Sequence, residues 1–501
     1  MMGKAGFLLG IDAGTSRCKA AVFDDEGNQI ATASRHTPLQ RPHPGWSELD
    51  PDNAWNAAVT VIREAVENAG VDPTTIRAVG ISAAMVGAWV LDANGTPLRP
   101  GIVWEDSRSQ PILDAMQEQD PAIMSRIFAS SGSVMQQGCT LPLLAWLKRH
   151  EPDLIGKAAH VVSYKDFLRF QLTGLMATDR SEASVIPGDA RTRSRSDEMI
   201  ALFGLAECAH LLPLIHDSEE IIGGLTPQAA QLTGLAEGTP VAVGAGDVVS
   251  TVIGAGGVDT GVATAVLGTT CLVGVCHDRP VFEPRDLGLL FSMPGDLWYR
   301  AMVNVAGTLN LDWAIGVLAP DLQGRDDCYQ QVTALVDAVA IGANGVSYLP
   351  YLSESGIIAP VVAPHARAQF SGLSPAHGRA HMLRAVYEGV AFALYDLVSA
   401  LGFDDGCIKL TGGGSQSPLW CQMIADMLQK EVIVPAGTEF GARGAALIAA
   451  TALGDFADIR AASMSATGED CRYLPSAAVA DDYRHAYALY AARRDALISG
   501  K

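Results

Sequence analysis

Asp12 ends an apolar run, Phe7-Leu8-Leu9-Gly10-Ile11-Asp12, and Ala13-Gly14-Thr15-Ser16-Arg17 follows it. A carboxylate at the end of a buried strand, ahead of a small-residue turn, suits a divalent cation and a phosphate. The carboxylate holds metal-bound water, Gly14 lets backbone N–H groups approach phosphate oxygens, and Thr15 and Ser16 add hydroxyls. The same residues also make an ordinary capped hairpin turn. Gly268-Thr269-Thr270 is a second turn between two apolar runs, without the carboxylate. Gly412-Gly413-Gly414-Ser415-Gln416-Ser417 lies between the strand-like Ile408-Lys409-Leu410 and a helical stretch from Pro418 to Leu428. Strand, glycines and helix N-terminus are a nucleotide-binding arrangement. It is not the dinucleotide G-x-G-x-x-G pattern, and no P-loop or protein-kinase motif set is present.

Asp247, in Gly244-Ala245-Gly246-Asp247, stands at a glycine-rich strand end before the apolar Val248 to Ile253. There it fits a general base toward a hydroxyl, and equally an N-cap of the next helix. Trp104-Glu105-Asp106-Ser107-Arg108 combines an aromatic face, two carboxylates and a guanidinium, the groups that polyol recognition uses. A surface ion-pair loop is the plainer reading. Arg191-Thr192-Arg193-Ser194-Arg195 reads as a solvated loop, and the histidines do not combine into a zinc ligand set.

The elements that must position these residues alternate between strand and helix, so the chain reads as α/β. A strand over Phe7–Asp12, a return strand over Cys18–Phe23 and a third over Gln29–Ala33 open it. A helix started by Asp50-Pro51 follows. The pattern restarts after Gly238-Thr239-Pro240. Val262–Leu267, the Gly268 turn and Cys271–Val275 repeat the first hairpin, which suggests an internal duplication; chance similarity of short apolar runs explains it as readily. Asp481–Ile498 reads as an amphipathic helix whose Tyr483, Tyr487 and Tyr490 pack into a core. With 501 residues the chain exceeds one ordinary core. Its net charge of −20 argues against a nucleic-acid or anionic-membrane partner. Nine cysteines without C-x-x-C spacing read as reduced thiols of a cytoplasmic protein. No apolar run reaches membrane-spanning length.

Together these segments resemble the FGGY family of carbohydrate kinases over nearly the whole chain. Ala368-x-Phe370-x-Gly372-Leu373, seven residues, then His381-Met382-x-x-Ala385-Val386-Tyr387-Glu388 is similar to the family's second signature. Gly412-Gly413-Gly414-Ser415-x-Ser417-x-x-Trp420 with Ala425-Asp426 resembles its adenosine motif, and Gly441-Ala442-Arg443-Gly444-Ala445-Ala446 the helix start that follows. Asn304 to Trp313, with Gly307 and Asn310, is similar to a further nucleotide-contacting segment. The first signature is partial, since Leu143 stands where many members carry Lys.

The resemblance implies two actin-like (ribonuclease-H-like) domains around a central catalytic cleft. Residues 1–246 would carry the sugar site and the first phosphate hairpin. Residues 247–501 would bind ATP, with the last helix free to pack back on the first domain. It implies Asp247 as catalytic base and Asp12 and Asp247 as ligands of Mg²⁺. Gly14, Thr15, Ser16, Arg17, Gly268, Thr269, Thr270, Gly307, Asn310, Gly413, Gly414 and Ser417 would contact ATP. Met85, Val86, Trp104, Glu105, Asp106 and Asp247 would contact a small-molecule sugar or polyol, and a homodimer is the expected assembly.

Within the family, Arg41-Pro42-His43-Pro44-Gly45-Trp46-Ser47-Glu48 and Leu98-Arg99-Pro100-x-x-x-Trp104 resemble the xylulokinase branch. D-xylulose kinases usually carry Met-His where this chain has Met85-Val86. Lys165-Asp166-Phe167-Leu168 and Asp247-Val248-Val249-Ser250 look more like L-xylulose kinases. A pentulose kinase, a polyol kinase and, more distantly, a nucleotide-binding regulator are the readings carried forward.

Overall fold

The computed structural model describes residues 6–465 and 470–499. They form two compact units that are not contiguous in sequence. The first holds the chain through Asp259, Cys276–Tyr299 and the stretch from Gly437 through the helix Ile459–Ser465. The second holds Thr260–Val275, Arg300–Ala436 and the C-terminal strand and helix.

In the first unit, β1 (Phe7–Ala13), β2 (Arg17–Phe23) and β3 (Gln29–His36) form an antiparallel meander. α1 (Pro51–Ala69) then leads to β4 (Ile76–Ala83), which pairs parallel to β1. Asp50 caps α1 by accepting from the Asn53 N–H at 2.9 Å, and Gly70 ends it at φ 65°. The apolar face of α1 buries Val61 and Ile62 completely, and each contributes roughly 1.5–3 kcal/mol. The short α2 (Arg180–Val185), β5 (Ile221–Gly224), β6 (Pro240–Ala242) and β7 (Ala245–Gly246) come next, and α3 (Asp247–Gly254) leaves the end of β7. The sheet order is β5-β6-β4-β1-β2-β3, with β7 also on β4. The helix Phe440–Ala452 lies on β1 and β4 and against α3. Its approach is very close: a Cβ on Gly10 or Gly80 would sit 1.8 Å from the carbonyl oxygen of Ala442 or Ala445. Only glycine permits backbone-to-backbone packing of that kind.

The second unit holds β8 (Val262–Leu267), most of β9 (Cys271–His277), which makes the second hairpin with it, most of β10 (Leu297–Asn304), and α4 (Leu309–Leu318). The long α5 (Arg379–Ala400), β11 (Cys407–Thr411), α6 (Pro418–Leu428), β12 (Val432–Val434), β13 (Cys471–Tyr473) and α7 (Ala480–Ile498) complete it. The order β10-β9-β8-β11-β12-β13 repeats β3-β2-β1-β4-β6-β5, with parallel pairing at β8–β11 and β11–β12. The repeated hairpin therefore belongs to a repeated topology, which chance similarity of apolar runs does not produce.

Three expectations change. Units that share a sheet or a packed helix do not respect a single break at residue 246/247. β7 pairs with β4 and α3 packs on the helix Phe440–Ala452, so Asp247 and that late helix stay with the first unit. α7 belongs to the second unit, where Tyr490 Oη meets Tyr351 Oη at 2.9 Å and Tyr487 donates to Asp396 at 2.6 Å. The Arg191–Arg195 loop is not wholly solvated: Arg193 is buried and pairs with Asp296 at 3.0 Å. All nine cysteines are free, and eight of them are at least partly buried.

Candidate active site

β1, β4 and β7 run parallel and end together, with Asp12 opposite Ser82 and Ala245 opposite Ser82. This register brings Asp12 and Asp247, 235 positions apart in the chain, to one end of one sheet. Burial and then the neighbouring charge of Asp12 push Asp247 up to about 7, against the Val248 N–H that donates to its Oδ1 at 2.8 Å. Asp12 is pushed up to about 6, chiefly by burial; Lys19 pulls it down and Glu439 pushes it up. Lys19 and Glu439 pair at 2.9 Å beside it. Asp247 is not the N-cap of α3. Gly246 takes that position, and among the described residues the Asp247 carboxylate makes neither a cap of the kind Asp50 makes on α1 nor an ion pair.

Two carboxylates drawn together without a cation between them repel, and one oxygen of Asp12, Oδ1, is buried with no hydrogen-bond partner. That donor set fits a hard divalent cation such as Mg²⁺, which takes one or two carboxylates and completes its shell with water and phosphate oxygens. Among the described residues no group of three His, Cys, Asp or Glu side chains forms a complete metal cage, so phosphate would have to share the ion. His377 and His381 are four apart with rings 5.2 Å apart, but each Nδ1 accepts a backbone N–H, from Ser374 and Gly378 respectively. They close a turn and cap α5.

The turn after β1 holds Gly14, Thr15, Ser16 and Arg17, the last two exposed. Trp104 reaches it: its indole N–H donates to Thr15 Oγ1 at 2.9 Å, and the ring is 46% exposed. An aromatic face thus stands open beside the small-residue turn. Met85 packs over Gly246, where a Cβ would lie 2.3 Å from the Met85 Sδ. Val86 follows with φ 55°, rare for a β-branched residue.

Glu105 and Asp106 are placed differently from their expected role. Asp106 is fully buried; its oxygens accept from the Ser47 N–H at 2.7 Å and from three N–H groups of Arg108. Arg108 also binds Glu48 at 2.6 Å and lies 3.8 Å over the Trp46 ring. Glu105 accepts from Arg41 at 2.6 Å and Ser47 at 3.0 Å. The Arg41–Glu48 and Trp104–Arg108 segments therefore bind each other, and Asp106 holds the frame that presents Trp104. It is a buried pair, not the surface loop that spacing alone suggested. Asp106→Ala removes one of the two buried carboxylates that face Arg108, Glu48 being the other, and is expected to cost about 3 kcal/mol of stability, measured by urea unfolding.

In the second unit, Gly268, Thr269 and Thr270 join β8 to β9, both threonines exposed. Gly307 sits on this turn; its Cβ would lie 2.1 Å from the Gly268 carbonyl oxygen, and the Thr308 N–H donates to that oxygen at 2.7 Å. Asn310 is buried, donating to the Gly307 carbonyl at 3.2 Å and accepting from Tyr348 Oη at 2.8 Å. Both ends of its amide are used inside the protein, which suits positioning of the Gly307 turn. The three glycines after β11 have separate reasons. Gly412 adopts φ 88°, Gly414 packs on Leu267, and Gly413 is exposed with no atom within 4 Å of a Cβ position. Ser417 caps α6 by accepting from the Trp420 N–H at 3.3 Å.

The residues that sequence reasoning missed are Lys19, Ser82, Glu439 and Gly441 around Asp12, and Ser181 and Glu182 behind Met85 and Val86. None sits in a motif with Asp12 or Asp247. Gly441 is quoted in a helix start, yet its meaning is spatial: a Cβ there would lie 2.4 Å from an Asp12 oxygen.

Two α/β units of the same repeated strand order, with a paired carboxylate and glycine turns at strand ends, are the architecture of actin-like phosphotransferases. The FGGY family of carbohydrate kinases, N-terminal domain, matches residues 7–254, and the C-terminal domain of the same family matches 263–453. The xylulose kinase of Escherichia coli (strain K12) is 33% identical over 448 residues, covering 88% of this chain and 89% of that protein. A probable L-xylulose kinase of Pasteurella multocida (strain Pm70) is 32% identical over 464 residues, 90% of this chain and 92% of that protein. A solved xylulose kinase from Rhodospirillum rubrum superimposes with TM-score 0.86 at 29% identity, covering 98% and 99% of the two chains. The chain belongs to the FGGY family of carbohydrate kinases and is a sugar kinase. Among the described residues no helix is long and apolar enough to cross a membrane.

Proposed function

We propose that this kinase transfers the γ-phosphoryl group of ATP to a hydroxyl of a pentulose, with Asp247 as general base. The observation that carries the reading is the meeting of Asp12 and Asp247 at the ends of β1 and β7, with Asp247 pushed up to about 7. A base near neutrality holds its proton loosely enough to be free at working pH and strongly enough to accept one from an alcohol. Phosphoryl transfer asks little covalent chemistry of the protein; alignment of the hydroxyl and neutralisation of phosphate charge carry most of it.

The roles divide by unit. In the first, Asp247 takes the acceptor proton, Met85 and Val86 border it, and Trp104 offers an apolar face to sugar C–H bonds. The turn Gly14–Arg17 supplies N–H groups, hydroxyls and a cation toward phosphate. Asp12 and Asp247 would hold Mg²⁺, which when bound supplies charge neutralisation to the phosphates. In the second, the Gly268–Thr270 turn would meet phosphate and the exposed Gly413 the adenosine, with Gly414, Ser417, Gly307 and Asn310 shaping that surface. The xylulose kinase relatives at about 30% identity favour a pentulose over a polyol. The cytoplasm, where ATP is made available to such enzymes, is the proposed location, and a homodimer the proposed assembly.

ADP release with Mg-ATP against D- and L-xylulose, D- and L-ribulose, erythritol, the pentitols and glycerol tests the acceptor. One strongly preferred pentulose supports the reading. A preferred polyol replaces it with the polyol kinase, a slow acceptor-independent ATPase puts the acceptor outside this panel, and ATP binding with no ADP release at all brings the nucleotide-binding regulator forward. The nucleotide surface has its own test. Gly413→Leu meets open space and ordinary backbone geometry, so Tm stays unchanged. The ATP KM is expected to rise about tenfold, equivalent to roughly 1.4 kcal/mol of lost binding.

A further inference from the structure

Behind the acceptor-bordering residues lies α2, and two of its adjacent side chains reach two different strand ends. Ser181 Oγ accepts the N–H of Gly246, the residue before Asp247, at 3.1 Å. Glu182 Oε1 accepts the N–H of Val86. Glu182 is 4% exposed, and its second oxygen, Oε2, has no hydrogen-bond partner. Burying a carboxyl group is costly, and a leucine would fill the space at less cost. Its one backbone contact falls on a residue with φ 55°, a strained conformation for a valine that persists only where the surroundings hold it.

The base of the clamp is rigid. Asp179 caps α2, accepting the Ser181 N–H at 2.8 Å, the Ser181 hydroxyl at 2.5 Å and the Ser218 hydroxyl at 3.0 Å, and it pairs with the buried Lys165 at 3.1 Å. Lys165 also pairs with Asp166 at 2.6 Å, and Arg169 joins Asp166 at 2.9 Å. On the other side, Gly87 continues the left-handed turn at φ 79° and donates to the Gly138 carbonyl at 3.0 Å. Met85 is thereby carried onto Gly246.

We propose that Glu182, seconded by Ser181, is a positioning residue for the sugar acceptor. Through the Val86 N–H it holds Met85 and Val86 in fixed register with Gly246 and Asp247. It touches neither substrate nor nucleotide. The inference rests on the reading that Met85 and Val86 border the acceptor. It places control of acceptor specificity in a buried side chain on another element, behind the residues that line the site.

Steady-state kinetics of Glu182→Ala, Glu182→Gln and the double variant Glu182→Ala/Val86→Gly test this. The acceptor is whichever compound of the panel the wild type phosphorylates, so a polyol in place of a pentulose overturns the earlier reading and leaves this test intact. E182A is expected to raise the acceptor KM about tenfold or more, the loss of one hydrogen bond to a strained backbone, with the ATP KM within about twofold of wild type. E182Q keeps an oxygen for the Val86 N–H and is expected to restore the acceptor KM. V86G removes the cost of positive φ and is expected to recover part of the E182A loss. Where E182A does not fold, Glu182→Asp, one methylene shorter, takes its place against E182Q. An acceptor KM unchanged in E182A, equal rises in both KM values, or E182Q as impaired as E182A would each overturn the proposal.

Discussion

Asp247→Asn is expected to lower kcat by about 10²–10⁴-fold, the range a positioned general base supplies, with ATP binding retained. Asparagine keeps the shape and the acceptor oxygen but cannot take the proton of the hydroxyl. Single-turnover ADP formation measures the loss, and equilibrium ATP binding shows that the nucleotide surface survives. The wild-type pH profile belongs to the same prediction. With Asp247 at about 7 as the base, kcat/KM, which reports the free enzyme, is expected to rise with pH up to about 7 and then level. Lys19→Met removes the cation that pulls Asp12 down, so the Asp12 ionisation moves to higher pH.

The stability of D247N has a sign that separates it from ordinary loss of contacts. The folded value of about 7 lies above the ordinary 3.8, so the native state holds this proton more tightly than the unfolded chain. Ionisation therefore costs native stability progressively from about pH 4 to 7, and the whole cost is present above 7. D247N removes it. Its Tm is expected to exceed that of the wild type at pH 8, with this advantage fading below pH 4. A lower Tm at pH 8 would contradict the crowded-carboxylate account of the site.

The second large effect is expected at Gly80→Ala. One methyl group would lie 1.8 Å from the Ala445 carbonyl oxygen. The helix Phe440–Ala452 must then lift from β4, and its neighbours with it: Gly444, whose Cβ would be 1.8 Å from the Ser250 carbonyl, and Gly441 beside Asp12. Backbone cannot swing away as a side-chain tip can, so the cost is expected to be about 3 kcal/mol or more, at the upper end for overpacking. Urea unfolding measures it. Gly261→Ala, at an exposed glycine of ordinary φ with no atom within 4 Å, serves as the neutral control. Activity should fall with stability in G80A, because the same helix fixes Asp12 and α3.

The amino-acid sequence by itself determined the local elements and the family. Strands at Val262–Leu267 and helices such as Pro418–Leu428 are legible because apolar period and caps are local properties. Asp12, Asp247 and the glycine turns are legible as candidates because the chemistry proposed for them needs particular residue types at strand ends. Tertiary structure alone decided which distant residues share a site. Parallel pairing of β1, β4 and β7 is non-local, and no spacing rule brings residue 12 to residue 247 or residue 441 to residue 12. The same holds for roles that depend on burial. Asp106 and Asn310 carry the right groups for a ligand, but their hydrogen bonds are consumed inside the protein. Glu182 carries no motif at all and acquires a task only because α2 packs behind Val86. Residue type states what a side chain can do, and packing decides which partner it meets.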